Sequence, residues 1–337
     1  MSKQNELVQF SRGASGGGSK NVIINGDMKI FQRGSAATTA ASSYATVDRF
    51  KTWVGVTSGA YTSEKSTDVP SGQGFSNSLK LQCTTADTST ASGEYAQFNQ
   101  AIEAYNCQAF AYGTSGAKTL TLSFWCKSNK TGVYTVSFRK PDSTIYIIPI
   151  EYTISSANTW EKKTITVSPT AGSTTLITNS GGAIANDNGS GLEVYWNLLL
   201  GSNYTGGTSG TWSSNANHYS TTNAVNWLDN TANNFYITGV QLEINDTSTD
   251  FENEDYGTTL FKCKRYFQKM LNPSYSANGG TNNYLQWWHV PEMRASPTLA
   301  GSIGGTNDTS NSVRAQHYAS GSNYAYYDAG VTADAEL

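Results

Sequence analysis

The 337-residue chain is expected to be all-β, an antiparallel sandwich with one amphipathic helix near its C-terminal end. Three features predict this. Apolar and polar residues alternate with period two in short segments separated by Gly, Ser and Asn turns. Charged residues make up 14% of the chain and aromatic residues 12%, a balance typical of all-β extracellular or particle-surface proteins. Only one stretch carries a convincing helical period.

Residues 1–20 combine a short polar-apolar stretch, "NELVQFSRG", with a "GASGGGS" linker. Leu7, Val8 and Phe10 tethered by glycines suit an anchor arm that docks onto another protein. Gly13-Ala14-Ser15-Gly16-Gly17 matches the G-x-S-x-G spacing of a nucleophile elbow, but that chemistry needs a strand–turn–helix frame that a glycine linker does not supply. The segment lacks the apolar core of a secretory signal, so synthesis in a cytoplasm is expected.

Residues 21–252 read as the sandwich. "NVIING", "DMKIFQRG", "VDRFKTWVGV", "SLKLQCT", "AQFNQAIE", "KTLTLSFWCKS", "GVYTVSFRK", "TIYIIPIEYTI", "EKKTITV", "GLEVYWNLLLGS" and "NNFYITGVQLEI" all qualify as strands. In "KTLTLSFWCKS", Leu120, Leu122, Phe124 and Cys126 share one face, and Thr119, Thr121, Ser123 and Trp125 the other. Pro141 and Pro149 favour an edge strand or a bulge there. Residues 201–234 are long, polar and studded with aromatics, the signature of an extended loop over one edge of the sandwich.

A bridging helix is predicted within 253–271. Leu260, Cys263, Phe267 and Met270 recur at i, i+3, i+7 and i+10, with Asp255 or Thr258 as N-cap. Lys262, Lys264, Arg265 and Lys269 suit the negative end of the helix dipole, and Pro273 ends the pattern. Residues 272–337 read as further strands.

Net charge of −3 gives no electrostatic reason to expect nucleic acid or acidic membranes as partners. No run of about 18 apolar residues could span a bilayer. Cys83, Cys107, Cys126 and Cys263 show no CxxC pairing and read as buried free thiols. His218, His289 and His317 stand singly, without the spacing that puts two imidazoles on one helical face. Asp187, Asp246 and Asp250 lie in acidic loops with the hard oxygens calcium takes, although Asn/Asp/Gly clusters are also what turns require. Glu151, Glu161, Glu193 and Glu243 sit on strands with no spacing that singles out a glycosidase pair, so neither catalytic residues nor a cofactor are expected. Tyr204, Trp212, Tyr219 and Trp227 offer rings for the C–H faces of a sugar. Those rings could equally pin the loop to the sandwich or fill a subunit contact. Alternation sends Trp287 and Trp288 to opposite faces of their strand.

"NVIINGDMKIFQRG" resembles the N-terminal signature of a widespread group of bacteriophage structural proteins, through Asn21, Ile24, Asn25, Gly26, Met28, Gln32, Arg33 and Gly34. "TVDRF", "SLKLQ", "FNQAIE", "LTLSFWCKS", "NTWEKKTITV", "FYITGVQLE", "YGTTLFKCKRYFQK", "EMRASPT" and "TADAEL" follow in that group's order, covering nearly everything from residue 21 onward. The resemblance implies a jelly roll like that of carbohydrate-binding modules, closed by "YITGVQLE" pairing with the first strand. It implies a helix bridging to a small C-terminal β unit, and a non-enzymatic tail fibre or receptor-binding appendage on the virion. Expected partners are tail, portal-adaptor or capsid proteins through residues 1–20, a host surface glycan or protein, and two further copies in a homotrimer. Two departures stand out. Phe50 replaces the group's usual tryptophan after Asp-Arg, and the short N-terminal arm differs from long fibre shafts. The second keeps a capsid decoration protein or head fibre open.

Overall fold

The computed structural model describes residues 20–55, 58–270, 274–275, 282–300, 306–308, 312–318, 325–326 and 331–337. Leu7, Val8, Phe10 and Pro273 lie outside the described residues, as do the side chains of Trp287, Trp288 and His317. The strands of the sandwich are, in order, β1 (Thr38–Thr39), β2 (Lys51–Gly55), β3 (Ala60–Ser66), β4 (Ser78–Thr85), β5 (Tyr95–Glu103), β6 (Leu120–Ser128), β7 (Gly132–Lys140), β8 (Tyr146–Ile154), β9 (Glu161–Val167), β10 (Ser190–Leu200) and β11 (Asn234–Ile244). They form a six-stranded sheet, β1-β3-β4-β11-β6-β9, facing a five-stranded sheet, β2-β5-β10-β7-β8, with antiparallel pairing in both. This is the expected jelly-roll sandwich. Pro149 lies in β8, an edge strand, where its missing N–H breaks no interior ladder.

Alternation builds the core. Leu120, Leu122, Phe124 and Cys126 of β6 all point inward, against Phe98 of β5 and Trp196 of β10. Phe98 stacks on the Trp196 indole at 5.2 Å, and Phe124 meets the same ring edge-on at 5.9 Å. The four cysteines are buried and unpaired, and burial pushes the Cys83 thiol up to about 11.

The N-terminal signature departs from expectation. "NVIING" and "DMKIFQRG" are turns rather than strands. The cause is side-chain competition with the ladder. The Asn21 amide accepts from the N–H groups of Ile23 and Leu242 (both 3.0 Å) and donates to Val240 O (3.1 Å). Asn25, at a left-handed φ of 62°, accepts from Lys29 N and Ile30 N (both 3.0 Å). β11 therefore pairs with β4 and β6 and not with a first strand. Besides the Asn21 amide, two isolated backbone bonds, Val22 N to Leu242 O and Val240 N to Gly26 O, tie the signature to it. Gly26 is needed because a Cβ there would fall 2.0 Å from Val240 O.

The helix is also shorter than its period suggests. α1 spans Tyr256–Lys264, capped by Asp255, whose Oδ1 accepts from Thr258 N at 2.9 Å. Phe267 and Met270 belong instead to β12 (Phe267–Met270). The C-terminal strands are β13 (Ser274–Tyr275), β14 (Asn282–Trp288), β15 (Thr298–Ala300), β16 (Thr306–Asp308), β17 (Ser312–Tyr318), β18 (Ala325–Tyr326) and β19 (Val331–Asp334). β19 joins β12 to β15, β17 joins β14 to β16, and β13 pairs with β18. A ladder to residues 331–334 thus overrides the local helical pattern at 267–270.

The C-terminal segment closes onto the signature. Arg49, 1% exposed and at φ 74°, pairs with Glu336, donates to Ala101 O at 2.6 Å, and lies 3.5 Å above the Tyr266 ring. Arg33 reaches Asp334 (3.0 Å) and Glu336 (3.2 Å) over the ring of Phe267. The Tyr44 hydroxyl donates to Leu337 O at 2.8 Å. The landmark residues of "DRF", "FQRG", "KRYF" and "TADAEL" meet in one buried junction.

Candidate functional site

The outward face of the five-stranded sheet supplies the site. Alternation that sends Phe98, Val194, Trp196, Val136 and Phe138 into the core turns their neighbours outward. Pairing then juxtaposes those neighbours. Trp53 of β2 lies opposite Gln97 of β5, and Glu193 of β10 opposite Arg139 of β7. Gly55 lies opposite Tyr95, and a Cβ on Gly55 would sit 2.2 Å from the Tyr95 ring. Glycine there lets the tyrosine lie down across the strand.

Residues 201–233 cross part of this face and edge strand β8. The Asn197 amide holds them, donating to Thr135 Oγ1 (3.0 Å), Ser137 Oγ (2.8 Å) and Tyr219 O (2.9 Å). Glu151 accepts from Thr221 Oγ1 at 2.5 Å and from Asn223 Nδ2 at 3.0 Å. The uncovered remainder is a cavity of about 330 Å³, lined chiefly by Trp53, Tyr95, Arg139, Glu193, Tyr204 and Tyr219, with Gln97, Tyr195, Leu200 and Asn217 completing it. Its rings stand perpendicular to one another: Tyr95 to Tyr204 at 88°, Tyr195 to Tyr219 at 83° and Tyr204 to Tyr219 at 77°.

Charge at the cavity is concentrated in one pair. Arg139 Nη1 donates to Glu193 Oε2 at 2.7 Å, the Tyr195 hydroxyl donates to the same oxygen at 3.0 Å, and Ser190 Oγ donates to Oε1 at 3.2 Å. Burial works against the Arg139 charge, but Glu193 together with the Tyr219 and Tyr195 hydroxyls outweighs it and holds the guanidinium above its ordinary value. Burial, then Glu193, pushes the Tyr195 hydroxyl up, so it stays a donor. Gln97 Oε1 and Arg139 Nε are buried with no hydrogen-bond partner among the described residues. An unmet buried polar atom costs about 1–3 kcal/mol, which a ligand hydroxyl would relieve. Lys51 Nζ lies 3.7 Å from the Trp53 ring and marks the rim.

Of the four aromatic residues predicted from the loop, the structure brings two to the cavity. Tyr204 and Tyr219 line it. Trp212 and Trp227 do not: at 2% and 0% exposed they take the other reading left open for these rings, pinning the loop to the sandwich. The loop dips back into the sandwich at both. Trp212 Nε1 donates to Ser168 O (2.9 Å), and Trp227 Nε1 donates to Asn234 O (3.1 Å) with its ring edge-on to Tyr61. Their indoles are core, each satisfied by a backbone carbonyl.

Asp187 serves a turn, and the Asp246 and Asp250 carbonyls tie their loop to distant segments. Asp187 Oδ1 accepts from Gly189 N at 2.8 Å, Asp246 O accepts from Thr166 Oγ1 at 3.3 Å, and Asp250 O accepts from Lys20 Nζ at 2.7 Å. Among the described residues no three His, Cys, Asp or Glu side chains converge as metal ligands. His218 Nδ1 shares a hydrogen bond of 2.8 Å with Ser213 Oγ in the loop.

Sequence reasoning missed Trp53, Tyr95, Gln97, Arg139 and Tyr195, and treated Glu193 as a plain strand residue. The signal lay in the period-two pattern of "KTWVG", "YAQFNQAIE", "SGLEVYWN" and "TVSFRK", whose non-core positions are these residues.

No family model matches the chain, and no curated protein matches it. Among solved structures, the enzymatically active domain of tailspike protein 4 from bacteriophage CBA120 matches at 15% identity and a TM-score of 0.32. That match covers 67% of this chain and 22% of the tailspike chain. A sugar-binding protein from Bacteroides thetaiotaomicron, described as putative, matches at 11% identity and a TM-score of 0.38, over 67% of this chain and 100% of its own. A xylan-binding domain of carbohydrate-binding module family 22 matches at 13% identity and a TM-score of 0.33, over 68% of this chain and 99% of its own.

Proposed function

We propose that this chain is a non-enzymatic glycan-binding protein that holds a sugar in the cavity on its five-stranded sheet. The observation that carries the reading is the cavity itself: half-exposed Tyr95, Tyr204, Tyr219 and Trp53 standing around the Arg139–Glu193 pair. Aromatic walls accept the C–H faces of sugar rings, and a donor beside an acceptor meets their hydroxyls. Glycoside hydrolysis asks for two carboxylates flanking one bond. The cavity lining includes one, Glu193, and three hydrogen bonds hold it. That supports binding without turnover.

The landmark order from "NVIINGDMKIFQRG" to "TADAEL" supports a place on a bacteriophage particle, as a tail fibre or receptor-binding appendage built as a homotrimer. Residues 1–20 would anchor it to a tail, portal-adaptor or capsid protein.

A glycan array followed by titration calorimetry on the intact protein tests the binding. Tyr95→Ala and Tyr204→Ala should each weaken it at least tenfold. A protein that binds no glycan, or whose binding survives both changes, is not what this geometry suggests. Deleting residues 1–20 should abolish incorporation into particles while leaving glycan affinity unchanged. Normal incorporation of the truncated protein would remove the anchor.

A further inference from the structure

The cavity also carries information about which sugars it takes; the inference rests on the glycan-binding reading above. We infer that it receives a neutral oligosaccharide, roughly one or two rings deep, and excludes uronic and sialic acids, with the Arg139–Glu193 pair setting that choice.

Charge comes first. The lining includes one cation and one anion, paired at 2.7 Å, so the walls present no net charge, and the further cation, Lys51, stands at the rim over the Trp53 ring. Recognition of a carboxylate works best through a guanidinium fork free to donate two parallel bonds. Arg139 spends Nη1 on Glu193 and its Nε is buried, so neither two-donor edge of the guanidinium stands fully open to the cavity. A sugar acid brought to Arg139 would also stand beside the Glu193 carboxylate. Repulsion from Glu193 then offsets the attraction of Arg139, so an acid gains no net Coulomb energy there and still gives up its hydration.

Hydroxyls fit where carboxylates do not. Gln97 Oε1 is a buried acceptor lacking a partner among the described residues. A ring hydroxyl can donate to it, whereas a carboxylate can only accept. The rings add shape. Tyr95, Tyr204 and Tyr219 make near-perpendicular walls instead of a coplanar strip, so a sugar enters between them rather than lying along a flat platform. A volume of about 330 Å³ sits at the low end of the ~300–1,000 Å³ typical of small-molecule sites.

The test is calorimetric titration of the intact protein with matched probes. The neutral set is the β-1,4-linked trisaccharides of glucose, mannose and galactose together with lactose. The acidic set is trigalacturonate and 3′-sialyllactose. At least one neutral probe is expected to bind at least tenfold more tightly than any acidic one. Its affinity should change less than twofold between 0.05 and 0.5 M NaCl, because no charge pair forms on binding. Glu193→Gln, checked by its melting curve, should weaken the neutral probe and narrow the gap to the acidic set by at least tenfold. Tighter binding of an acidic probe by the unmodified protein, with affinity falling steeply in salt, would overturn the neutral assignment and leave glycan binding standing. Failure of both sets, extended to a full glycan array, would overturn the glycan-binding reading itself.

Discussion

Replacing Glu336 by Gln is the sharpest perturbation of the junction that joins the two ends of the described chain. The change keeps the side chain's size and removes its charge. Arg49, 1% exposed, then meets a neutral amide in place of a carboxylate while keeping Ala101 O and the face of Tyr266, and Arg33 loses one of its acidic neighbours. Removing one partner of a buried ion pair costs about 3–5 kcal/mol, because a charge is left buried. The two surviving Arg49 contacts put this case at the lower end, about 3 kcal/mol. Domains of 150–250 residues lose about 2–4 °C in melting temperature per kcal/mol, and a longer chain loses less, which gives roughly 6 °C. Urea denaturation followed by tryptophan fluorescence supplies the free energy. Arg49→Met alone and Arg49→Met with Glu336→Gln complete a cycle whose coupling should exceed about 1 kcal/mol. The loss should be equal at 0.05 and 0.5 M NaCl, since salt screens buried pairs poorly. A shift below 1 °C with no coupling would show that packing, and not charge, closes the junction.

Three further outcomes are expected. Gly55→Ala places a methyl where the Tyr95 ring lies, so glycan affinity should fall about tenfold by calorimetry while the melting temperature moves little. Trp212→Ala and Trp227→Ala should each lower stability by about 3–5 kcal/mol in urea, as core indoles do; a selective loss of glycan binding with unchanged stability would contradict their burial. Burial raises the Asp48 carboxyl to about 6, against hydrogen bonds from Gln32 and the nearby Arg33 charge. With the folded value above the unfolded one, Asp48 contributes stability that is full below about pH 4 and is lost as pH rises through about 6, at up to roughly 1.4 kcal/mol per unit. Denaturation of Asp48→Asn against the unmodified protein from pH 4 to 7 should show that slope missing from the variant.

Local pattern made the sandwich legible and left its pairing hidden. Leu120, Leu122, Phe124 and Cys126 announce a half-buried strand because alternation is a property of neighbours in sequence. "AYTSEKS", now β3, escaped because its inward positions include Ser63, buried but not apolar. The signature failed as strands because Asn21 and Asn25 offer their amides to the backbone, a competition that composition conceals. Helix α1 was overextended because the ladder at Phe267–Met270 depends on residues 331–334, beyond the reach of any window. The site followed the same logic. Tyr204 and Tyr219 were visible as aromatics stranded in a loop. Trp212 and Trp227 looked alike in sequence and went to the core. Glu193 and Arg139 became a pair only through the register of β10 against β7.

The loop that walls the cavity is bolted to the core at Trp212 and again at Trp227, and the rim residues Asn217 and Tyr219 lie between the bolts. Between the bolts the chain is pinned again where Asn197 meets Tyr219 O and Glu151 meets Thr221 and Asn223. Replacements at the exposed positions Asn215 and Asn217 would therefore recarve the mouth for a different sugar while both sheets kept their pairing. Specificity in this architecture can drift quickly on a frame that hardly moves.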